Sequence, residues 1–300
     1  MKILSFDIGG TKIAYAKISG DGEFLSQISK IKTPKTATEI FDELKRIISE
    51  AEDIDAVAIS TAGAVNLENT SVMSSTPNMP KGYNSTDFST LTNKPVFIEN
   101  DANAAALAEY KLGAARGFDN NITITLGTGI GAGIVIEGSL LRGKSGRGGE
   151  AGSLKIYPDR RRQCTCGNYD CWESYASGPG LLRTYKEEFA KEFPNYEKVD
   201  KLTTYDLIEG FKSGDELCKK VMEIWHNHLF AGLVSLNNIF DTGIIVLSGG
   251  MGKFADIKSL EERVNAETVC SPLKIRYAEA GNNAGMIGAA LLTAKKFSGK

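Results

Sequence analysis

Residues 3–18 read ILSFDIGGTKIAYAKI and residues 121–138 read NITITLGTGIGAGIVIEG. Each is a short apolar strand, a glycine turn and a second strand whose side chains alternate. The same grammar returns about 120 residues later, which suggests a duplicated architecture with one glycine hairpin per domain. Working outward, Ala37–Glu52 places Ile40, Phe41, Leu44, Ile47 and Ile48 at helical spacing, and AVAIS at 56–60 is a strand ending in Thr61-Ala62-Gly63. A loop-rich stretch through Pro77, Pro80 and Gly82 leads to the strand PVFIEN at 95–100 and to a helix from Ala102 to Leu112, closed by Gly113. The second half predicts helices over Gly180–Phe193, Thr204–Lys212 and Asp215–Ile239, a strand GIIVLS meeting Gly249-Gly250, and a closing small-residue helix, AGMIGAALLTAKK. Strands and helices alternating in two halves predict an α/β fold of two domains with a cleft between them. The expected division is 1–117, with a C-terminal helix near 284–300 packing back on it, and 118–283.

Composition excludes several classes. With 35 Lys and Arg against 37 Asp and Glu the net charge is -2, so no basic field exists to hold nucleic acid or an anionic membrane. Hydrophobic residues at 42% and charged residues at 24% fit a globular chain and exclude disorder or a collagen-like fibre. Glycine is in excess, 32 in 300, or ~11% against ~7% in average usage, which points to backbone that turns tightly or approaches a ligand. No apolar run reaches the ~18 residues of a spanning helix, and the start MKILSFDIGG is too short for a secretion signal, so a cytoplasmic location is expected. Of five cysteines, Cys164, Cys166 and Cys171 crowd into one segment while Cys218 and Cys270 stand apart, which suggests metal or local structure more than a disulfide framework.

Gly138–Ser145, GSLLRGKS, spells the phosphate-loop pattern, but the continuation GRGGEAG has no helical period, and such a loop needs its amides at a helix N-terminus. Gly127, Gly129, Gly131 and Gly133 likewise fail the dinucleotide fingerprint, because strand follows them. A glycine-lined hairpin can still bring its amides against a polyphosphate, although a plain tight turn explains either hairpin alone equally well. Asp7, at the mouth of the first hairpin, suits water-mediated magnesium contact or an Asx-turn. Glu99-Asn100-Asp101 ends a strand and opens a helix, so Asn100 or Asp101 is an N-cap by position, or Asp101 is a general base for a hydroxyl. Cys164, Cys166 and Cys171 have zinc-ribbon-like closeness without a fourth ligand. His226 and His228, two residues apart on a helix, should face different sides and be solvated or lightly packed.

Together these residues resemble the ROK family of the actin-like (ribonuclease H-like) sugar kinase superfamily. The resemblance spans nearly the whole chain: DIGGTK at Asp7–Lys12, STAGAV at Ser60–Val65, ENDANAAALAE at Glu99–Glu109, LGTGIGAG at Leu126–Gly133, GGEAG at Gly148–Gly152, CTCGNYDCWE at Cys164–Glu173 and LSGGMG at Leu247–Gly252. It implies a kinase that moves the γ-phosphoryl group of ATP, with magnesium, to the 6-hydroxyl of a hexose or N-acylhexosamine. Asp101 resembles the catalytic base, and Gly63, Asn78, Asn100, Glu150, Ser153 and Glu173 stand at sugar-side positions. Asp7, Gly9, Gly10, Thr11 and Lys12, with Gly127, Thr128, Gly129 and Gly131, resemble the phosphate-binding elements, and Gly249 and Gly250 those beside the adenosine.

Two departures matter. Ser153 stands where the family carries a zinc-ligating, sugar-facing histidine, and Asp170 where a glycine usually precedes the third cysteine. Zinc on Cys164, Cys166 and Cys171 is therefore expected to be absent or weakly held. The branch most resembled is the bacterial N-acetylmannosamine kinases; glucokinase, N-acetylglucosamine kinase and a non-catalytic sugar-sensing regulator are the alternatives. A DNA-binding repressor is disfavoured because Asp7 leaves no room ahead of it for a helix-turn-helix, and the resemblance suggests a homodimer.

Overall fold

The computed structural model describes residues 1–75, 78–84, 86–193 and 202–297; Pro77 and residues 298–300 of the expected last helix lie outside these. In chain order the elements are β1 (Lys2–Ile8), β2 (Lys12–Ser19), β3 (Ser29–Lys32), α1 (Ala37–Glu50), β4 (Ala56–Thr61), β5 (Ala64–Val65), β6 (Val72–Ser74), β7 (Val96–Asn100) and α2 (Asp101–Leu112). Next come β8 (Asn121–Leu126), β9 (Ile130–Ile136), β10 (Ser139–Leu140), α3 (Glu173–Ala176), α4 (Gly178–Glu192), α5 (Thr204–Ser213) and α6 (Glu216–Phe240). The chain ends with β11 (Ile244–Ser248), α7 (Gly249–Gly252), α8 (Ile257–Glu267), β12 (Lys274–Tyr277) and α9 (Ala284–Phe297).

Two compact units result: Met1–Asp119 with Gly133–Gly149 and Glu279–Lys300, and Asn120–Ala132 with Glu150–Ala278. Where the sequence predicts one continuous second domain over 118–283, Gly133–Gly149 and the residues from Glu279 group with the first unit.

In the first unit the strand order is β3-β2-β1-β4-β7. β1 pairs antiparallel with β2 across the first glycine turn and parallel with β4, which sets Asp7 beside Ser60. β4 is buried along its whole length, as a central parallel strand covered on both faces must be. One face packs under α1, whose Ile40, Leu44, Ile47 and Ile48 join Phe6, Ile59 and Ile98 in one apolar cluster. The capping box of Thr36 and Glu39 fixes where α1 begins. The other face is lined by small residues, Ala14, Ala16, Ala56 and Ala58, beneath α9. α9 and α2 approach so closely that a Cβ at Gly288 would strike the Ala104 carbonyl. The buried Glu109 carboxylate, at the end of α2, accepts hydrogen bonds from the amides of Ala114 (2.9 Å), Glu279 (3.1 Å) and Ala280 (2.8 Å), tying α2 to the returning chain.

In the second unit β11 pairs parallel with both β8 and β12. Trp172 and Trp225 are fully buried; Trp172 Nε1 donates to His228 O at 2.7 Å, and Gly232 on α6 leaves room for its ring. The two histidines do lie on different sides of α6, but His228 is buried against Tyr157 and Tyr175 and is not solvated. Burial, with Arg162 nearby, pushes its imidazole down to about 4, so it stays neutral at physiological pH. Among the described residues no helix is long and apolar enough to cross a membrane.

Candidate active site

The first unit assembles a carboxylate site where β1, β4 and β7 end. Asn100 closes β7 and caps α2: its Oδ1 accepts from Ala102 N–H at 2.9 Å and Asn103 N–H at 3.1 Å. The cap is thus Asn100, which leaves Asp101 in the first helical turn, where partial positive charge favours a carboxylate. Asp101 Oδ1 accepts from Ala102 N–H at 2.9 Å and from Asn100 Nδ2 at 3.1 Å. Asn100 Nδ2 also donates to Gly63 O at 3.0 Å. Gly63 has φ +106 and a Cβ there would meet the Ser74 carbonyl, so the position demands glycine.

Asp101 remains accessible to solvent, yet the protein crowded around it disfavours its charge. That desolvation, with the like charge of Asp7 as the second cause, pushes its carboxyl up to about 6, against the opposing hydrogen bonds from Ala102 and Asn100. Asp7 is raised too, again by burial; Ser60 Oγ donates to its Oδ1 at 2.8 Å and Lys12 attracts it, both opposing the rise. A Cβ at Gly285, in the first turn of α9, would come within 2.9 Å of Asp7 Oδ1, so a side chain is excluded beside this carboxylate. Gly9 N–H donates to Lys12 O at 3.0 Å to close the hairpin turn, leaving Gly10, Thr11 and Lys12 exposed. Gly10 lies against the backbone of Asn78, which joins two residues assigned to different substrates by the resemblance. Ser60 Oγ is the one side-chain donor to the Asp7 carboxylate among the described residues, which leaves an oxygen for the water-mediated contact that magnesium with a retained hydration shell makes.

The second unit holds the other predicted residues. Gly127 N–H donates to Gly129 O at 3.0 Å, forming the tight turn between β8 and β9, and Gly178 N–H donates to Gly127 O at 2.9 Å. Beside this turn opens a cavity of about 310 Å³ that brings together Gly127, Thr128 and Gly250. Ile208, Met251, Phe254 and Tyr205 supply apolar and aromatic wall, with Thr204 and Gly178 at its polar side. Glycine turns meeting an apolar, partly aromatic cavity suit a nucleoside whose phosphates run toward backbone amides. Gly249 stands behind this wall with φ +83, where a Cβ would strike the Leu126 backbone. Gly129 and Gly131 do not line the cavity. Gly131 lies within β9, while a Cβ at Gly129 would collide with the Glu173 carboxylate.

Glu173 Oε2 accepts from Ile130 N–H at 2.9 Å, and Gly152 packs on the Ile130 carbonyl, so the turn carrying Glu150 and Ser153 and the start of α3 converge on one residue of the hairpin. Glu150 and Ser153 are both exposed there, and Ser153 N–H donates to Glu150 O at 3.0 Å.

The sulfurs of Cys164, Cys166 and Cys171 lie within 4.8 Å of one another, the one such group among the described residues. A tetrahedral zinc site needs a fourth good donor. Asp159 pairs with Arg161, Asp170 is committed elsewhere, and Glu173, whose Oε1 accepts from Cys164 Sγ at 3.6 Å and Thr165 Oγ1 at 3.2 Å, does not join the three sulfurs as a ligand group. Lys155 Nζ, a cation, lies 3.0 Å from Cys171 Sγ. The residues present therefore do not complete a structural zinc site. Asp170 adopts φ +53, the left-handed region that explains the family's glycine, and its carboxylate offsets the strain by accepting from Tyr175 Oη (2.6 Å) and the amides of Arg162 (2.8 Å) and Arg161 (3.1 Å). Although burial opposes it, these bonds hold the Asp170 carboxyl below the usual range.

Sequence reasoning did not single out Ser60, Gly285, Tyr205, Ile208 or Phe254. A small residue opening α9 was visible only as packing, and the cavity wall is drawn from helices with no shared motif.

A sequence model of the ROK family matches residues 3–296. The glucokinase of Streptomyces coelicolor is 34% identical over 309 residues, covering 96% of each chain. A solved ROK family glucokinase from Streptomyces griseus, in complex with glucose and AMPPNP, has a TM-score of 0.79 at 33% identity over 97% of this chain and 99% of that one. A candidate N-acetylmannosamine kinase from Listeria monocytogenes has a TM-score of 0.84 at 25% identity over 99% of both chains.

Proposed function

The chain belongs to the ROK family and is a sugar kinase, and on that premise we propose that it transfers the γ-phosphoryl group of ATP to the 6-hydroxyl of a hexose. The observation that carries this reading is Asp101: a solvent-accessible carboxylate raised to about 6, held by Asn100 and by its own helix, at the end of a parallel strand. A base of that strength is deprotonated at neutral pH and still takes a proton readily. In the reaction Asp101 accepts the hydroxyl proton while the oxygen bonds to the γ-phosphorus and the bond to the ADP oxygen breaks. Phosphoryl transfer asks for positioning and charge neutralisation more than for covalent chemistry. By resemblance Asn100 in the first unit and Glu150 and Glu173 in the second are each sugar-side residues, and the Gly127–Gly129 turn and the cavity beside it hold the nucleotide. Asp7 fits a water-mediated hold on magnesium, which when bound neutralises phosphate charge.

Glucose is the acceptor we favour, on the strength of the identity with the Streptomyces glucokinases. N-acetylmannosamine is the second reading, favoured by Ser153 in place of the family's imidazole and by the Listeria fold match. A homodimer is the assembly we propose. The test is a coupled ADP assay with ATP, magnesium and glucose, N-acetylglucosamine and N-acetylmannosamine side by side. A kcat/KM highest for glucose is expected; one highest for N-acetylmannosamine reverses the choice of sugar, and no turnover with any sugar overturns the kinase reading.

A further inference from the structure

The phosphate-loop spelling at Gly138–Ser145 has no place in the site described so far, yet its arginine is the most heavily engaged side chain of that loop. Arg142 Nη1 donates to Asn69 Oδ1 at 2.6 Å and Leu67 O at 3.1 Å, and Nη2 donates to Asn66 O at 2.8 Å. Its Nε lies 3.3 Å from Glu99 Oε2 but is not aligned for a hydrogen bond, so that contact is one of charge. Gly146, with φ +76, presses the same loop onto the Val65 carbonyl, where a Cβ would collide. The next element is only the short 3-10 turn Ala151–Ser153, and the loop groups with the first unit as a staple.

What it staples is the residue next to the proposed catalytic pair. Glu99 is 1% exposed, and a buried carboxylate costs stability unless it is paired and hydrogen-bonded. Its Oε1 accepts from Asn100 N–H at 2.9 Å and Asn103 Nδ2 at 3.1 Å, and its Oε2 from Asn69 Nδ2 at 3.2 Å. The carboxylate therefore grips the backbone just before Asp101 and a side chain just after it. Arg142 is the cation recorded against it, and Asn69 is shared by both partners.

We propose that Arg142, acting through Glu99, is a positioning residue that fixes Asn100 and Asp101 for the sugar, so that the Gly138–Gly149 loop serves the phosphoryl acceptor and not the phosphates. This rests on Asp101 being the base. The test uses the full chain with Arg142→Gln, Arg142→Lys, Glu99→Gln and the double variant Glu99→Gln/Arg142→Gln. Two readouts are taken: sugar and ATP kinetics, and amide hydrogen exchange at Ala102 and Asn103, the N–H groups that Asn100 caps. Arg142→Gln should lower kcat with sugar ~10-fold or more, since small misplacements of a reacting group are costly, while KM for ATP stays within about twofold. Exchange at both amides should quicken. Arg142→Lys, which keeps charge without the planar fork, should recover part of the loss, and the double variant should lose less than the product of the single losses because no lone charge is left buried. Unchanged exchange overturns the proposal, as does a uniform loss in sugar use, ATP use and melting temperature. If the wild type phosphorylates no sugar, the kinase reading has failed, and the exchange readout alone then decides the positioning role.

Discussion

The raised carboxyl of Asp101 makes a pH profile the sharpest probe of its role. With its value pushed up to about 6 from 3.8, the base is nine-tenths deprotonated one unit above and one-tenth one unit below, so kcat/KM should fall ~10-fold between pH 7 and pH 5. An ordinary aspartate would lose only ~7% over the same range. Asp7→Asn removes the like charge and should move the acidic limb to lower pH, but only part of the way to 3.8, because desolvation is the larger cause and survives the change. The limb's position is read independently of the height of the profile, which Asp7→Asn should also lower if Asp7 serves magnesium. The assay is sugar phosphorylation at constant ionic strength from pH 4.5 to 8, with coupling enzymes shown not to limit. A wild-type limb near pH 4, or one that does not move in Asp7→Asn, would show that Asp101 is not the titrating base.

Glu173→Gln should weaken sugar use far more than it changes KM for ATP; equal damage to both, with a lowered melting temperature, would indicate a folding defect in the hairpin that Glu173 braces through Ile130 N–H. Ile208→Trp should fill the cavity of about 310 Å³ and raise KM for ATP ~10-fold or more while sugar KM holds, and an unchanged KM for ATP would remove the nucleotide from this cavity. Elemental analysis of protein purified without metal-affinity steps should find far less than one zinc per chain, and chelation should leave the melting temperature unmoved; stoichiometric zinc lost together with stability would show that the three cysteines recruit a fourth ligand.

Much of this was legible in the sequence where one local pattern decides one element. The two glycine hairpins, the helix of Ile40, Leu44 and Ile47, and the strand leading into Asn100-Asp101 each carry their own signal of period or cap. The elements that escaped carry almost none: β3 reads SKIK with no buried residue, β12 has one buried residue in four, and α8 buries only Leu260 and Val264. His228 escaped for a related reason. It sits on the buried stripe of α6, three residues after Trp225 and four before Gly232, and a histidine carries no apolar signal that Tyr157 and Tyr175 will cover it there. Glu99 and Arg142 lie 43 positions apart, and nothing in the spacing of either predicts their pairing. The letters GSLLRGKS pointed to phosphate, while the geometry spends the arginine on a turn and a carboxylate.

Whether Asp101 takes the proton from the sugar hydroxyl is decided by Asp101→Asn. The amide keeps the shape and the bonds to Ala102 and Asn100 but cannot accept a proton. Because the folded carboxyl sits above its unfolded value, the folded state binds more protons, so stability falls as pH rises from about 4 to about 6 and the deficit persists above that. Removing the charge should therefore raise the melting temperature at pH 7.5 while sugar still shifts it upward. The expected kcat is at least ~10²-fold below wild type in a protein that is folded, more stable and still binds sugar. A kcat near wild type would contradict it and leave Asp101 as no more than a residue of the first helical turn.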